Sequence, residues 1–226
     1  MLSVDIALSF FGVAIILALS PGPDNIFVLT QSAISGRMAG MMVVFGLCTG
    51  LVGHTVAVAA GVAALFRASP AAFTVLKLCG VAYLLYLAWL SLRPPAQTQA
   101  QGQEQIQANA PMHASASDIS RPRYSNLYRR GIIMNLTNPK VSLFFLAFLP
   151  QFTSPARGSV ALQTLWLGVL FMLATLLVFG AVAWFAGLIG ERLRRSPRIQ
   201  IIMDRLAGII FIGLAAALLL GGSESH

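Results

Sequence analysis

Charge is scarce in this chain. Lys and Arg number 15, Asp and Glu 7, and together they make up only 10% of 226 residues, against about 25% in soluble domains. Cysteine is scarcer: Cys48 and Cys79 are the whole complement. Both stand inside apolar runs, which argues against a disulfide framework or a thiolate metal site and leaves them as small packing residues. Of the histidines, His113 falls in a polar linker and His226 in the tail, so no pair of ligand histidines at helical spacing arises. A Gly-rich phosphate loop and a Gly-x-Ser-x-Gly elbow are also missing. These absences speak against an enzyme and against a metal or cofactor, and ATP-driven work would need a partner chain. The net charge of +8 is not arranged as a basic patch interleaved with aromatics, so nucleic acid is not an expected partner. No Lys or Arg precedes the first apolar run, which argues for a retained span rather than a cleaved leader.

Apolar sequence is what the chain has in plenty: 57% of residues are hydrophobic and the mean hydropathy is +0.79. A lipid-crossing helix needs about 20 apolar residues. Six stretches qualify: Val4 to Thr30, Met38 to Phe66, Ala71 to Leu92, Tyr128 to Phe152, Ser159 to Gly190 and Ile199 to Leu220. The expected fold class is an all-α polytopic membrane protein, one transporter domain over 1–226. Residues 94–126, rich in Gln, Ala, Ser and Pro, read as a flexible cytoplasmic linker between halves 1–93 and 127–226. The halves look related. Leu78-Cys79-Gly80-Val81-Ala82-Tyr83 matches Leu206-Ala207-Gly208-Ile209-Ile210-Phe211, each preceded by a basic residue, Lys77 or Arg205. Three spans per half is an odd number, so the second half enters from the opposite side and the repeat is inverted. Arginines cluster in the odd-numbered loops (Arg37; Arg93, Arg121, Arg123, Arg129 and Arg130; Arg192, Arg194, Arg195 and Arg198), with Arg67 and Arg157 on the other side. That bias places the odd loops in the cytoplasm and both termini outside the plasma (inner) membrane.

Two of the six spans are broken by proline, each with a charge at the break. The first reads Ser20-Pro21-Gly22-Pro23-Asp24-Asn25 and the second Thr137-Asn138-Pro139-Lys140. A charge at that depth is costly and marks a pathway or a site. Broken helices at matching places point to a transporter's centre. Pro21 and Pro23 lack amide donors, Gly22 between them tolerates unusual backbone angles, and a helix restarts near Pro23. Its free amides suit a carboxylate, and Asp24 suits an ammonium. Asp24 could equally cap the new helix. At the second break Asn138 can bond freed backbone groups. Lys140 offers a point cation for a carboxylate, or for Asp24 itself in a structural ion pair. Together the two charges suit an amino acid zwitterion. His54, in Gly46-xxx-Gly50-xxx-His54, is a proton-coupling candidate beside Asp24, or a neutral histidine bonded to another helix. The glycines before it read as a close helix contact. Gln31 and Ser32 end the first span and could line the route, but read rather as interfacial, and Tyr83, Tyr86, Trp89, Trp166 and Trp184 as packing or belt residues.

The run Ser20 to Asn25 resembles the signature of the LysE/RhtB amino acid exporter family. So do Arg37 and Gly40, Gly46 and Gly50, and Gly80-x-x-Tyr83-Leu84 with Trp89. Gly131, Asn135, Asn138-Pro139-Lys140, and Phe144-Phe145 through Pro150-Gln151-Phe152 are similar in the second half. The resemblance covers most of the chain outside the linker and tail. It implies six spans, export of amino acids such as lysine, arginine, threonine, homoserine or leucine, and energy from the proton gradient. On this reading Asp24 binds the ammonium, while the helix start after Pro23, Asn25 and Lys140 handle the carboxylate or the charge balance. Partners are then the small-molecule cargo, protons, the bilayer, and a second copy in a permitted homodimer. Two other readings stay open: a carrier of another cargo such as a metal cation, and a non-transporting membrane scaffold whose linker recruits partners.

Overall fold

The structure, a computed structural model, describes residues 2–20, 22–68, 70–93, 123–195 and 197–220. Pro21, most of the linker, His113 and His226 lie outside the described residues. Every regular element among the described residues is helical. The α-helices are α1 (Val4–Leu19), α2 (Pro23–Ser35), α3 (Arg37–Ala68), α4 (Pro70–Leu92), α5 (Tyr124–Thr137), α6 (Pro139–Leu143), α7 (Val160–Arg195) and α8 (Pro197–Leu220). After α6 the chain widens into a π turn, Phe144–Phe148, then tightens to 3-10 geometry over Leu149–Phe152 and again over Pro155–Arg157. Proline opens α2, α4, α6 and α8, where its missing donor costs nothing and its fixed φ fits the first turn. Gly36, at φ 88°, ends α2. Helix α5 opens at Tyr124, so Tyr124, Ser125 and Asn126 at the end of the expected linker are helical.

Two helices are long and apolar enough to cross a bilayer on their own: α3 over Arg37–Gly61 and α7 over Val160–Ala186. Two bent pairs raise that to four, α1 with α2 at 63° and α5 with Pro139–Phe152 at 50°. These bends fall at the two proline breaks. The third and sixth expected spans correspond to α4, whose apolar run is Lys77–Leu92, and α8. Length and composition among the described residues thus support four crossings where six were expected.

Packing fixes the helix directions. Thr55 meets Gly168, Cys48 Sγ lies 4.0 Å from the Met172 carbonyl, and Gly40 faces Ala183. Rising numbers on α3 meet falling numbers on α7, so the two are antiparallel. Lys77 Nζ reaches the Leu219 carbonyl at 3.3 Å while Leu92 packs on Gly208, so α4 and α8 are antiparallel too. Helices α3 and α5 run the same way: Gly46 meets Gly131, Gly50 meets Asn135 and Gly53 meets Leu136.

The apolar side chains form two clusters. One holds Phe10, Ala14, Leu17, Leu51, Val141, Phe145, Phe171 and their neighbours. The other holds Ala18, Phe27, Val43, Leu47, Met134, Val178 and theirs. On α1, α3, α5–α6 and α7 the changeover falls between Leu17 and Ala18, Leu47 and Leu51, Met134 and Val141, and Ala174 and Val178. Ser20, Asp24, Asn135, Asn138 and Thr175 are buried at or beside that changeover. The polar layer therefore sits between two apolar blocks, and its groups must satisfy one another.

Candidate functional site

Helix α1 ends because the next residue cannot continue it. The Ser20 amide makes the last regular bond, to the Ile16 carbonyl at 3.0 Å. The next donor in the ladder would be position 21, and proline has none. Side chains take over the exposed carbonyls. Lys140 Nζ donates to the carbonyls of Leu17 and Ser20, both at 2.9 Å, and Asn25 Nδ2 donates to that of Ala18 at 3.0 Å. A cation at a helix C-terminus is also favoured by the helix dipole. The second break thus caps the first.

The capping is reciprocal. Asn138 Oδ1 accepts from the Lys140 amide at 3.0 Å, the N-cap bond of α6, and Asn138 Nδ2 donates to Asp24 Oδ2 at 2.7 Å. Asp24 lies in the first turn of α2 and is only 5% exposed. Gly22 lies at the same corner: a Cβ placed on it would stand 3.8 Å from Lys140 Nζ. The structure therefore brings Gly22, Pro23, Asp24, Asn25, Asn138, Pro139 and Lys140 to one junction. Among the described residues, Asp24 and Lys140 form no direct ion pair; Asn138 links the Asp24 carboxylate to the Lys140 main-chain amide. Two acceptors at this corner are buried without a partner, Asp24 Oδ1 and Ser20 Oγ.

Magnitudes bear on how firmly this junction is held. Charge-assisted hydrogen bonds contribute about 1.5–3 kcal/mol each. Taking an ion out of water costs several kcal/mol even after relaxation. Lys140, with two such bonds and a face-on contact to the Phe211 ring at 5.9 Å, is close to balance rather than locked. Asp24, with one bond and one empty oxygen, is under-satisfied. A cavity of about 10 Å³ lies beside Lys140, lined by Leu17, Gly80, Tyr83, Phe144 and Phe148 among others. That is at the lower limit for one water, so this cavity has no room for an amino acid in this conformation.

His54 stands one layer away. Its Nε2 lies 3.2 Å from the Asn135 carbonyl, and its ring packs 5.7 Å from Phe145 in the π turn. The cause is again proline, because Pro139 cannot donate to the carbonyl four residues earlier, which is that of Asn135. The Asn138 amide, at 3.1 Å, and His54 take it instead. Asn135 and Ser20, which the sequence analysis quoted in motifs without giving them a role, also lie at this candidate site. A carbonyl four residues before a proline is the signal that finds Asn135. Ser32, expected at the interface, is buried under Gly40 with its hydroxyl on the Val28 carbonyl at 2.7 Å. Tyr86, Trp89, Trp166 and Trp184 lie on the outer surface, whereas Tyr83 lines the small cavity.

A family model described as LysE type translocator matches residues 15–222. The homoserine/homoserine lactone efflux protein of Salmonella typhimurium is 35% identical over 203 residues, covering 90% of each chain. A protein described as an uncharacterized membrane protein of Pseudomonas aeruginosa is 32% identical over 214 residues, covering 92% of this chain and 91% of its own. Another such protein, from Vibrio cholerae, is 30% identical over 213 residues. No solved structure matches the chain. With the match running across both proline breaks and all eight helices but the start of α1, this chain is a multi-pass membrane protein that belongs to the LysE type translocator family.

Proposed function

We propose that this protein is a secondary exporter of amino acids or their close derivatives, with the junction of the two breaks as its cargo site. The observation that carries the reading is Asp24: a carboxylate buried at mid-span, joined to the opposite break through Asn138, with its second oxygen free. Homoserine and homoserine lactone, the cargoes in the name of the Salmonella relative, share an α-ammonium, but only homoserine has a carboxylate. A site serving both must recognise the ammonium first, which is the part Asp24 can hold. Homoserine, threonine and similar small polar amino acids, or the lactone, are the cargoes this favours.

Proton antiport is the energy source on this reading, with Asp24 or His54 carrying the proton. The architecture is an inverted three-plus-three repeat in the inner membrane, both termini outside, with one half rocking on the other. The antiparallel pairs α3 with α7 and α4 with α8 support it. A homodimer is compatible with the small-residue faces.

The test is efflux of labelled homoserine and homoserine lactone from loaded proteoliposomes under an imposed proton gradient. Asp24→Asn keeps the shape and removes the charge. Efflux should fall by about tenfold or more for both cargoes, the factor that loss of one buried charged contact implies. Efflux by Asp24→Asn equal to that of the unaltered protein would sink the assignment of the site.

A further inference from the structure

We propose that the Lys140 ammonium is a tethered stand-in for the cargo's own ammonium, resting on the carbonyls of Leu17 and Ser20 that the cargo uses during transport. The inference rests on the amino acid reading above and concerns how the empty carrier closes.

The acceptors define a cradle of suitable chemistry. Two main-chain carbonyls stand exposed at the end of α1, and Lys140 Nζ sits 2.9 Å from each. An ammonium has three donors. Two are spent here, and two further buried acceptors at the same junction, Asp24 Oδ1 and Ser20 Oγ, have no partner. Asp24 is 5% and Ser20 4% exposed, so bulk water does not serve them in this conformation. An α-ammonium placed on the two carbonyls with its third hydrogen toward Asp24 would satisfy all of these acceptors but Ser20 Oγ. Lys140 satisfies only the carbonyls, because its stem arrives from the opposite break.

The side chain can leave. Lys140 hangs from α6, not from α1, so any motion of one break against the other alters its reach. Lys140 borders the small cavity between α1, α4 and the π turn, and π turns are frequent at functional sites. When cargo arrives, its ammonium displaces that of Lys140, which is then free for a cargo carboxylate if there is one. When cargo departs, Lys140 returns. Without that return the closing carrier would bury two unsatisfied carbonyls, a penalty that opposes closure. The same exchange lets one site accept cargo with or without a carboxylate.

The decisive measurement separates net efflux from exchange. Net efflux requires the empty carrier to reset, whereas exchange of labelled for unlabelled cargo does not. In proteoliposomes Lys140→Met should lower both, with net efflux falling about tenfold further than exchange, the factor expected for leaving a buried acceptor unsatisfied on reset. Equal losses in the two modes, or no loss, would overturn the stand-in role. A second measurement needs no variant. The chain has two lysines, Lys77 and Lys140, so ¹³C-lysine labelling gives two resolvable ε-methylene signals. Ethylammonium should move the Lys140 signal and leave that of Lys77, and tetramethylammonium, with equal charge and no N–H donor, should move neither. An unmoved Lys140 signal in ethylammonium would make Lys140 a fixed helix cap, whether or not wild-type efflux and its dependence on Asp24 stand.

Discussion

A single amide side chain holds the junction together. Asn138 accepts from the α6 backbone through Oδ1 and donates to Asp24 through Nδ2, and both functions fit within one residue only because an amide carries acceptor and donor side by side. Aspartate is as good an N-cap as asparagine. If capping were the whole role, Asn138→Asp would be neutral. The 2.7 Å contact to Asp24 argues otherwise: the aspartate would set two carboxylates face to face in a buried layer. Asn138→Asp should therefore destabilise the protein at neutral pH at least as much as Asn138→Ala. The alanine variant loses the cap and the bond to the carboxylate, about 2–4 kcal/mol together. Thermal midpoints of the two purified variants check the order, and an unchanged midpoint for Asn138→Asp would reduce Asn138 to a cap. Much at this scale was legible in the sequence. Proline's missing donor and the charges beside it are visible in the letters, and they led to Asp24, Asn138 and Lys140. The bond from Lys140 to the end of α1 was not legible, because it depends on how two distant breaks face each other. The ion-pair alternative set Asp24 directly against Lys140, whereas in the structure Asn138 bonds the carboxylate and the Lys140 ammonium bonds the end of α1.

Glycine sets the spacing of the helices that carry these residues. A Cβ on Gly46 would strike the Tyr128 carbonyl and come within 2.9 Å of the Gly131 Cα. A Cβ on Gly131 would strike the Val43 carbonyl and approach the Gly46 Cα at 3.0 Å. Backbone cannot step aside as a flexible side chain can, so α3 and α5 cross here at a distance only glycine allows. One turn further on, Gly50 faces Asn135, and His54 reaches the carbonyl that Pro139 leaves free. The crossing thus fixes the register of His54 against the second break. Gly46→Ala and Gly131→Ala should each cost about 1–3 kcal/mol as overpacking and reduce efflux as the register slips. Gly12→Ala on α1 is the control, since nothing stands within 4 Å of its Cβ position and alanine is the better helix former. Its midpoint should hold or rise. An alanine at 46 or 131 as well tolerated as one at 12 would refute the close crossing. The spacing of Gly46, Gly50 and His54 announced a helix contact without naming the partner helix, because periodicity reports a face and not what covers it. The π turn at Phe144–Phe148 had no sequence signature at all: its phenylalanines suit an ordinary apolar helix, and the wider turn arises in packing against Phe10, His54 and Phe171.

At the scale of the whole molecule, helix directions test the six-span order. If the odd loops are cytoplasmic, the second and fourth spans run outward and the fifth runs inward, so α3 and α5 should be parallel and α3 and α7 antiparallel. The contacts of Gly46 with Gly131 and of Gly40 with Ala183 have those senses. The third and sixth spans should oppose each other, as α4 and α8 do through Lys77 with Leu219 and Leu92 with Gly208. Directions alone leave the absolute orientation open, since inverting the whole molecule preserves every pairing. The arginine bias argues for cytoplasmic odd loops, and labelling from each side tests it. In a background with Cys48 and Cys79 replaced by alanine, Ser3→Cys and Ser159→Cys should react with a membrane-impermeant maleimide in intact cells. Ser125→Cys, exposed at the start of α5, should react only after lysis. The reverse pattern would invert the orientation while leaving the fold untouched. Labelling of residues 3 and 159 from opposite sides would break the inverted repeat itself, because a six-span repeat puts four crossings between Ser3 and Ser159 and so both positions on one face.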